Sequence, residues 1–156
     1  MNEIIILCAK YLLIVSFILA VICWYQQKGS SRKDFLILAI TSGVLAIVLS
    51  RLAGHIIYDT RPFVVGHFTP LIPHASDNGF PSDHTLLTSW LAFSVLMYSK
   101  RLGGLLLLIA LIVGSARVAA GVHHPLDILG SFVISAVAVG LSALALKLLK
   151  QRAKQA

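Results

Sequence analysis

Residues 4–25 read IIILCAKYLLIVSFILAVICWY, and this run decides the fold class. Lys10 is its only charged residue. About 20 consecutive apolar residues are what an α-helix needs to cross the ~30 Å hydrocarbon core of a bilayer. The run has no basic segment before it and no small-residue cleavage site at its end, so we expect a retained helix rather than a signal peptide. The sequence therefore predicts a membrane-spanning helix at the start of the chain.

Four further apolar runs follow the first. We expect helices at roughly 35–58, 84–98, 103–122 and 126–149, of which the run at 84–98 is the shortest. The chain has 156 residues, 58% of them hydrophobic and 12% charged, whereas about a quarter of a soluble domain is charged. The predicted fold class is all-α: one membrane-embedded domain, residues 1–156, built as a polytopic bundle of about five spans.

The basic residues predict the orientation of this bundle and exclude nucleic-acid binding as its purpose. Nine of the thirteen lie in the linkers and tail that follow the first, third and fifth runs: Lys28, Arg32, Lys33, Lys100, Arg101, Lys147, Lys150, Arg152 and Lys154. Basic residues at the ends of apolar runs mark the cytoplasmic side. We therefore expect a plasma-membrane or inner-membrane protein with its N-terminus outside and its C-terminus inside.

The two cysteines, Cys8 and Cys23, both lie in the first run. Fifteen residues of helix separate them by about 22 Å, which is too far for a disulfide. We expect both to be apolar packing residues without a redox or metal role.

Three polar clusters lie on the expected outer side, which also holds all six histidines. They read RLAGHIIYDTRPF at 51–63, FPSDHT at 80–85 and SARVAAGVHHPLDILG at 115–130. In the first cluster, the i, i+4, i+8 spacing predicts that Arg51, His55 and Asp59 share one helix face. Arg51 and Arg117 both fall inside apolar runs, where a charge costs roughly 2.5–3.5 kcal/mol and usually faces a polar cavity.

The residue types in these clusters fit one chemistry. Arginine binds phosphate with two parallel hydrogen bonds and keeps its charge, and a serine with free N–H groups at a helix start completes an anion site. Two histidines can divide the nucleophile and general-acid roles, and a carboxylate can fix the tautomer of one of them. Together they predict phosphoryl transfer through a phospho-histidine.

Each cluster also has a purely structural interpretation. Arg61 can be an arginine that extends to the membrane interface, Ser82 and Asp83 can cap a helix, and Asp127 can be a favourable charge in a first helical turn. These interpretations are reasonable one at a time, but the three clusters together favour a functional site.

The clusters resemble the three-part signature of the type 2 phosphatidic acid phosphatase (PAP2) superfamily, K-x6-RP, PSGH and SR-x5-H-x3-D. The sequence keeps Arg61-Pro62, reads Pro81-Ser82-Asp83-His84 in the second part, and keeps Arg117, His123 and Asp127 at the signature spacing. The match covers about half of the chain. RPF followed by PHASDNGFPSDHT is most similar to bacterial undecaprenyl pyrophosphate phosphatases of the bacitracin-resistance type.

The chain departs from the signature at four points. Gly54 stands where the family has lysine, and Arg51, one turn away, is the candidate to replace it. Asp83 replaces a glycine and Ala116 replaces a serine. Five spans are expected in place of the usual six.

The resemblance implies a role for each matching residue. His123 attacks phosphorus, Asp127 orients His123, and His84 protonates the leaving oxygen and then activates water. Arg61, Arg117 and Ser82 hold the phosphate oxygens, with the Asp83 N–H beside them and Arg51 as a further contact. It also implies no metal or other cofactor, and a lipid phosphate in the bilayer as substrate. Oligomeric state and roles for Lys10, His55, His67, His74 and His124 are not implied, although His124 is expected to point outward and His74 and Asp77 lie in the loop over the site.

Other functions stay open at this stage. Phosphatidylglycerophosphate or phosphatidate is the alternative substrate to undecaprenyl pyrophosphate. An anion transporter or channel would also use buried arginines. A metal-dependent membrane hydrolase would use the histidines and acids, but the chain lacks a zinc spacing such as H-E-x-x-H.

Overall fold

The computed structural model describes residues 2–155 and contains six helices in that range. They are α1 Asn2–Gln26, α2 Ser30–Ile56, α3 Pro62–Val65, α4 Asp83–Leu96, α5 Lys100–Ala119 and α6 Pro125–Ala153. No β-sheet forms among these residues, and a single isolated bridge joins Thr60 to Asn78. The all-α prediction is confirmed, and the short helix α3 is an element that the sequence did not predict.

Four helices, α1, α2, α5 and α6, are long and apolar enough to cross a membrane. Helix α4 has 14 residues, a rise of about 21 Å, which is less than the hydrocarbon thickness. The chain is therefore a multi-pass membrane protein with four full-length candidate spans, and the fifth expected span is the short helix in the centre of the bundle.

Helix α4 contacts all four long helices, and eight of its 14 residues are buried. Its side chains Leu91 and Val95 belong to a core cluster with Cys23 of α1, Phe35 of α2 and Leu106 of α5. The opposite surfaces of the long helices are apolar and open: Ile40, Leu108 and Leu129 are each more than half exposed. An apolar surface of this kind fits contact with lipid tails.

Small and hydroxylated residues allow α4 to pack closely. A Cβ at Gly103 of α5 would lie 2.4 Å from the Leu96 Cα, so only glycine permits this approach. Toward α6, Ser135 Oγ donates to the Leu86 carbonyl at 2.9 Å, and Ser89 Oγ donates to Ser135 Oγ at 2.8 Å. Such contacts are typical of helix interfaces inside membranes.

Helix α2 ends at Ile56, two residues earlier than predicted, because Ile57 is extended. The Asn78 side chain binds the backbone where α2 ends: its Nδ2 donates to the Gly54 and Ile57 carbonyls at 2.8 and 2.9 Å. The prediction that Asp59 shares a helix face with Arg51 and His55 is therefore wrong, because Asp59 lies beyond the helix.

The helix ends sort into two groups. The 27–29 linker, the 97–99 linker and the end of α6 lie at one end of the bundle, where Lys150 of α6 pairs with Asp34 of α2. The 57–82 segment and the 120–124 turn lie at the other end. All three polar clusters meet there.

Candidate active site

A cavity of about 540 Å³ opens at this second end, between the end of α2, the start of α4 and the end of α5. Six of the eight predicted site residues line it: Arg51, Arg61, Asp83, His84, Arg117 and His123. A seventh, Asp127, lies directly behind His123. The fold thus brings together residues that lie up to 76 positions apart in the sequence, from Arg51 to Asp127.

The turn between α5 and α6 positions the predicted nucleophile. Gly121 has φ of 77° and ends α5 in a conformation that favours glycine. Asp127, in the first turn of α6, accepts a hydrogen bond from the His124 backbone N–H at 2.9 Å, and its Oδ2 lies 3.1 Å from His123 Nδ1. Asp127 thus fixes Nδ1 as the protonated nitrogen and leaves Nε2 with its lone pair.

His123 is only 3% exposed, and its surroundings set its charge. Burial lowers the pKa of His123 below 6.5, the hydrogen bond that His123 donates to Asp127 opposes this, and the positive charges of Arg61 and Arg117 lower the pKa further. The imidazole is therefore neutral near pH 7, as a nitrogen nucleophile must be.

Arg61 is held rigidly beside His123. Its Nε donates to Asp77 Oδ1 at 2.8 Å and its Nη1 donates to the Val122 carbonyl at 2.9 Å. Nη1 also lies 3.4 Å from His123 Nε2. Since the guanidinium reaches the nitrogen that would attack, it can hold a phosphate oxygen at the same place.

Arg117 supplies a second buried cation. It is 2% exposed, near the end of α5, and its Nε has no hydrogen-bond partner among residues 2–155. A buried guanidinium is costly unless it is paired. A phosphate in the cavity that Arg117 lines would provide the missing acceptor.

The start of α4 presents two of its three signature residues to the cavity. Asp83 and His84 line the cavity, whereas Ser82 is fully buried and does not. The Ser82 hydroxyl accepts a hydrogen bond from Thr85 Oγ1 at 3.1 Å, and its carbonyl accepts one from Ser131 Oγ at 3.0 Å. In this structure the Ser82 carbonyl joins α4 to α6, and its contact with phosphate stays a prediction.

Arg51 and Gly54 explain a departure from the family signature. A Cβ at Gly54 would lie 3.0 Å from the Phe80 carbonyl oxygen, so a side chain here would require the 78–81 loop to shift by a few tenths of an ångström. Arg51, one turn earlier, lines the cavity and is exposed. The close loop favours glycine over the family lysine, and an alternative cation remains on the same wall.

The loop over the site adds residues that local patterns could not assign. Asp77 and His74 both line the cavity. Burial disfavours ionisation of Asp77, but the hydrogen bond and charge of Arg61 outweigh it and lower the pKa of Asp77. Burial and the charges of Arg61 and Arg117 also lower the pKa of His74.

Sequence reasoning missed a second histidine–carboxylate pair. His124 was expected to point outward, but its Nδ1 lies 2.7 Å from Asp59 Oδ2. The partners are 65 residues apart, and no periodic pattern links them. The only hint of this pair in the sequence is that two histidines are adjacent at 123–124.

One group among the described residues has the composition of a metal site. Ligand atoms of Asp59, His124 and Asp127 lie within 4.8 Å of one another. However, His124 Nδ1 already contacts Asp59, and Asp127 Oδ2 accepts from the His124 N–H. These bonds favour a hydrogen-bonded network rather than a set of metal ligands.

The comparisons with known proteins agree with the geometry. The model of the PAP2 superfamily matches residues 34–150. Undecaprenyl-diphosphatase BcrC of Bacillus subtilis (strain 168) is 31% identical over 137 residues, which cover 88% of this chain and 70% of that protein. The chain spans between 51% and 70% of the length of four curated relatives.

Two solved structures share the fold. A PAP2-type phosphatidylglycerolphosphate phosphatase from Bacillus subtilis is 25% identical with a TM-score of 0.59, covering 91% of this chain and 74% of that one. LpxE of Aquifex aeolicus has a TM-score of 0.65 at 22% identity, covering 90% and 93%, a likeness that concerns the fold alone.

The chain belongs to the PAP2 superfamily. It is a membrane-embedded phosphatase of that class, a hydrolase that acts on phosphate esters.

Proposed function

We propose that this phosphatase removes the terminal phosphate of undecaprenyl pyrophosphate at the outer face of the membrane, releasing undecaprenyl phosphate and inorganic phosphate. The observation that carries the chemistry is the Asp127–His123 pair, with His123 Nε2 beside Arg61 in a cavity that also contains His84 and Arg117. The undecaprenyl-diphosphatase relatives support the substrate.

In the first step, His123 Nε2 attacks the terminal phosphorus. The bond from that phosphorus to the bridging oxygen breaks, and His84, which the negative charge of the bound pyrophosphate keeps protonated in the complex, gives its proton to the leaving oxygen. Arg61 and Arg117 offset the charge that develops on the phosphoryl oxygens, and Asp127 stabilises the positive charge that develops on His123.

In the second step, the now neutral His84 takes a proton from water. The hydroxide attacks phosphorus, the P–N bond breaks, and inorganic phosphate leaves. Each histidine ends in its starting protonation state. The residues needed for both steps are all on this chain.

The outward orientation is part of the proposal. The nine linker and tail cations lie at the end of the bundle opposite the cavity, as expected when that end is cytoplasmic. Reporter fusions at residues 30 and 100 should then report the cytoplasm and a fusion at residue 70 the outside. A cytoplasmic signal at residue 70 would contradict the outward-facing site.

A second substrate class has its own support. A similar solved structure is a phosphatidylglycerolphosphate phosphatase, so phosphatidylglycerophosphate and phosphatidate are the alternatives. The two classes differ in the leaving group: a phosphate in one, an alkoxide in the other.

A phosphate-release panel on the purified full chain in detergent tests the proposal. The substrates are C55 pyrophosphate, C55 monophosphate, phosphatidate and phosphatidylglycerophosphate, with His84→Ala as the comparison enzyme. We expect the highest kcat/KM on C55 pyrophosphate and a loss of about 10²–10⁴-fold in His84→Ala. A preference for either phospholipid would favour the alternative substrate class. No phosphate release from any of the four substrates would refute both substrate proposals.

A further inference from the structure

The second histidine–carboxylate pair lies directly behind the first. Asp59 follows α2 and His124 precedes α6, and the two are 25% and 38% exposed. His124 also donates its backbone N–H to Asp127 Oδ2, the atom that contacts His123 Nδ1. The two pairs therefore share the 123–127 turn.

The carboxyl groups of Asp59 and Asp127 are close together. One oxygen of each lies within 4.8 Å of the other, with His124 Nδ1 within the same distance of both. Asp127 is fully buried, and its Oδ1 has no hydrogen-bond partner among the described residues. Two carboxylates at such a distance in a buried site tend to share one proton unless a cation compensates.

Asp59 is fixed in this position by the loop that covers the site. Its backbone N–H donates to Asn78 Oδ1 at 2.9 Å, and its carbonyl accepts from the Gly79 N–H at 2.8 Å. A Cβ at Gly79 would lie 3.1 Å from Asp127 Oδ2 and 3.2 Å from the Asp59 carbonyl oxygen. Glycine at 79 thus allows the loop to bring the second carboxylate toward the first.

We propose that His124 is a positioning residue for the reaction, which pairs with Asp59 so that Asp127 stays ionised behind the nucleophile His123. Without the contact between His124 Nδ1 and Asp59 Oδ2 at 2.7 Å, Asp59 and Asp127 would share a proton, and a protonated Asp127 could not stabilise the charge that develops on His123. The charged groups that face this network are Asp59, His123, His124 and Asp127 themselves, with Arg61 3.4 Å from His123 Nε2 and Arg117 acting on His123. This inference rests on the proposed role of His123.

The proposal is tested by removing His124 alone and then by removing His124 and the Asp59 carboxylate together. In His124→Phe, we expect protonation of Asp127 to replace that of His123 as the event that sets the acid limb of the log kcat profile, so the limb should move to higher pH, with a loss of about tenfold per pH unit below it. In Asp59→Asn/His124→Phe the second carboxylate is gone as well, so the acid limb should return to its wild-type position. Asp59→Asn alone should keep that position, and His67→Phe, an exposed histidine of the covering loop, is the matched control.

If the role of His124 is merely structural, removing Asp59 as well should not restore the acid limb. The double variant would then be as impaired as His124→Phe or worse, and this result would overturn the proposal. Loss of wild-type activity on treatment with a chelator would also overturn it, in favour of a metal held by Asp59, His124 and Asp127. If His124→Phe does not fold, His124→Leu also removes the contact with Asp59 and should show the same shift.

A second readout does not depend on turnover. Ring ¹⁵N NMR of His123 in detergent should show its pKa falling further in His124→Phe, since a protonated Asp127 stabilises the imidazolium less, and returning in the double variant. If the wild type hydrolyses none of the panel, the proposed function fails while this titration still decides the inference. Unchanged titration of His123 in His124→Phe would refute it.

Discussion

Two ion pairs between distant segments, Arg61–Asp77 and Lys150–Asp34, lie at opposite ends of the bundle and differ in their surroundings. At the cavity end, the Arg61 side chain is 5% exposed and its partner Asp77 63%, and Arg61 also contacts Val122 and Asn78. At the other end, the Lys150 side chain is 48% exposed and its Asp34 partner is its only hydrogen-bond contact among the described residues.

The difference separates charged residues that take part in the chemistry from charged residues that mark the orientation of the chain in the membrane. Exposed pairs contribute about 0–1 kcal/mol because solvent screens them. Removing Asp77 instead leaves the buried Arg61 guanidinium without its carboxylate partner. Substitutions at the cavity end should therefore change turnover strongly, and substitutions at the other end should change it little.

The largest effect is expected for His123→Ala. The variant lacks the attacking nitrogen, so turnover and the acid-labile phospho-enzyme should both disappear. Rapid acid-free quenching of enzyme incubated with ³²P-labelled substrate measures the intermediate, and His67→Ala is the control that should retain it. Label found on Ser82, or steady turnover without any trapped label, would replace histidine attack with serine or direct water attack.

Asp127→Asn should come next. The amide keeps the geometry but cannot stabilise the positive charge on His123, and the corresponding change in the serine-protease triad lowers kcat by about 10⁴. Steady-state kinetics should show the loss in kcat with little change in KM. An equal loss confined to KM would assign Asp127 to substrate binding.

Arg51→Leu should have an intermediate effect. A hydrogen bond to a charged group contributes about 1.5–3 kcal/mol, which corresponds to roughly ten- to a hundredfold in kcat/KM. Arg101→Leu, an exposed arginine at the opposite end, should leave kcat/KM unchanged. Full turnover by a folded Arg51→Leu would mean that this chain does without the contact of the family lysine.

The pH dependence of kcat/KM should show a smaller effect, which grows gradually as the pH falls. Since the pKa of His123 lies below 6.5, the nucleophile stays neutral until the pH falls through that lowered value. The acid limb of kcat/KM should accordingly lie below pH 6.5 and fall about tenfold per pH unit beneath it. An acid limb above pH 6.5 would mean that another group controls the reaction.

The smallest effect is expected for Asp34→Asn at the far end. Loss of the pair with Lys150 should change the free energy of unfolding by at most about 1 kcal/mol and leave kcat/KM intact. Asp77→Asn is the matched change at the cavity end, and it should lower kcat/KM because Arg61 loses its carboxylate partner. Equal effects of the two substitutions, measured by denaturation and kinetics, would remove the distinction between the two ends.

The order of the signature along the chain allowed much of the site to be predicted. Arg61, Arg117 and His123 lie on cavity walls as expected, because each is anchored a few residues from a helix end. Ser82 differs, since its hydroxyl is buried against Thr85 of the same helix start and does not line the cavity, and a local pattern cannot tell which side of a helix start a neighbour occupies.

The sequence by itself determined the membrane class, the positions of the long helices and the clustering of polar residues at one end, because apolar run length and charge placement are local properties. Only the tertiary structure decided that Asp59 leaves helix α2 to meet His124, that Asp77 holds Arg61, and that the Phe80 carbonyl packs closely against Gly54. These contacts join segments 16 to 65 residues apart, and their geometry depends on how the loops cross the bundle end rather than on any spacing along the chain.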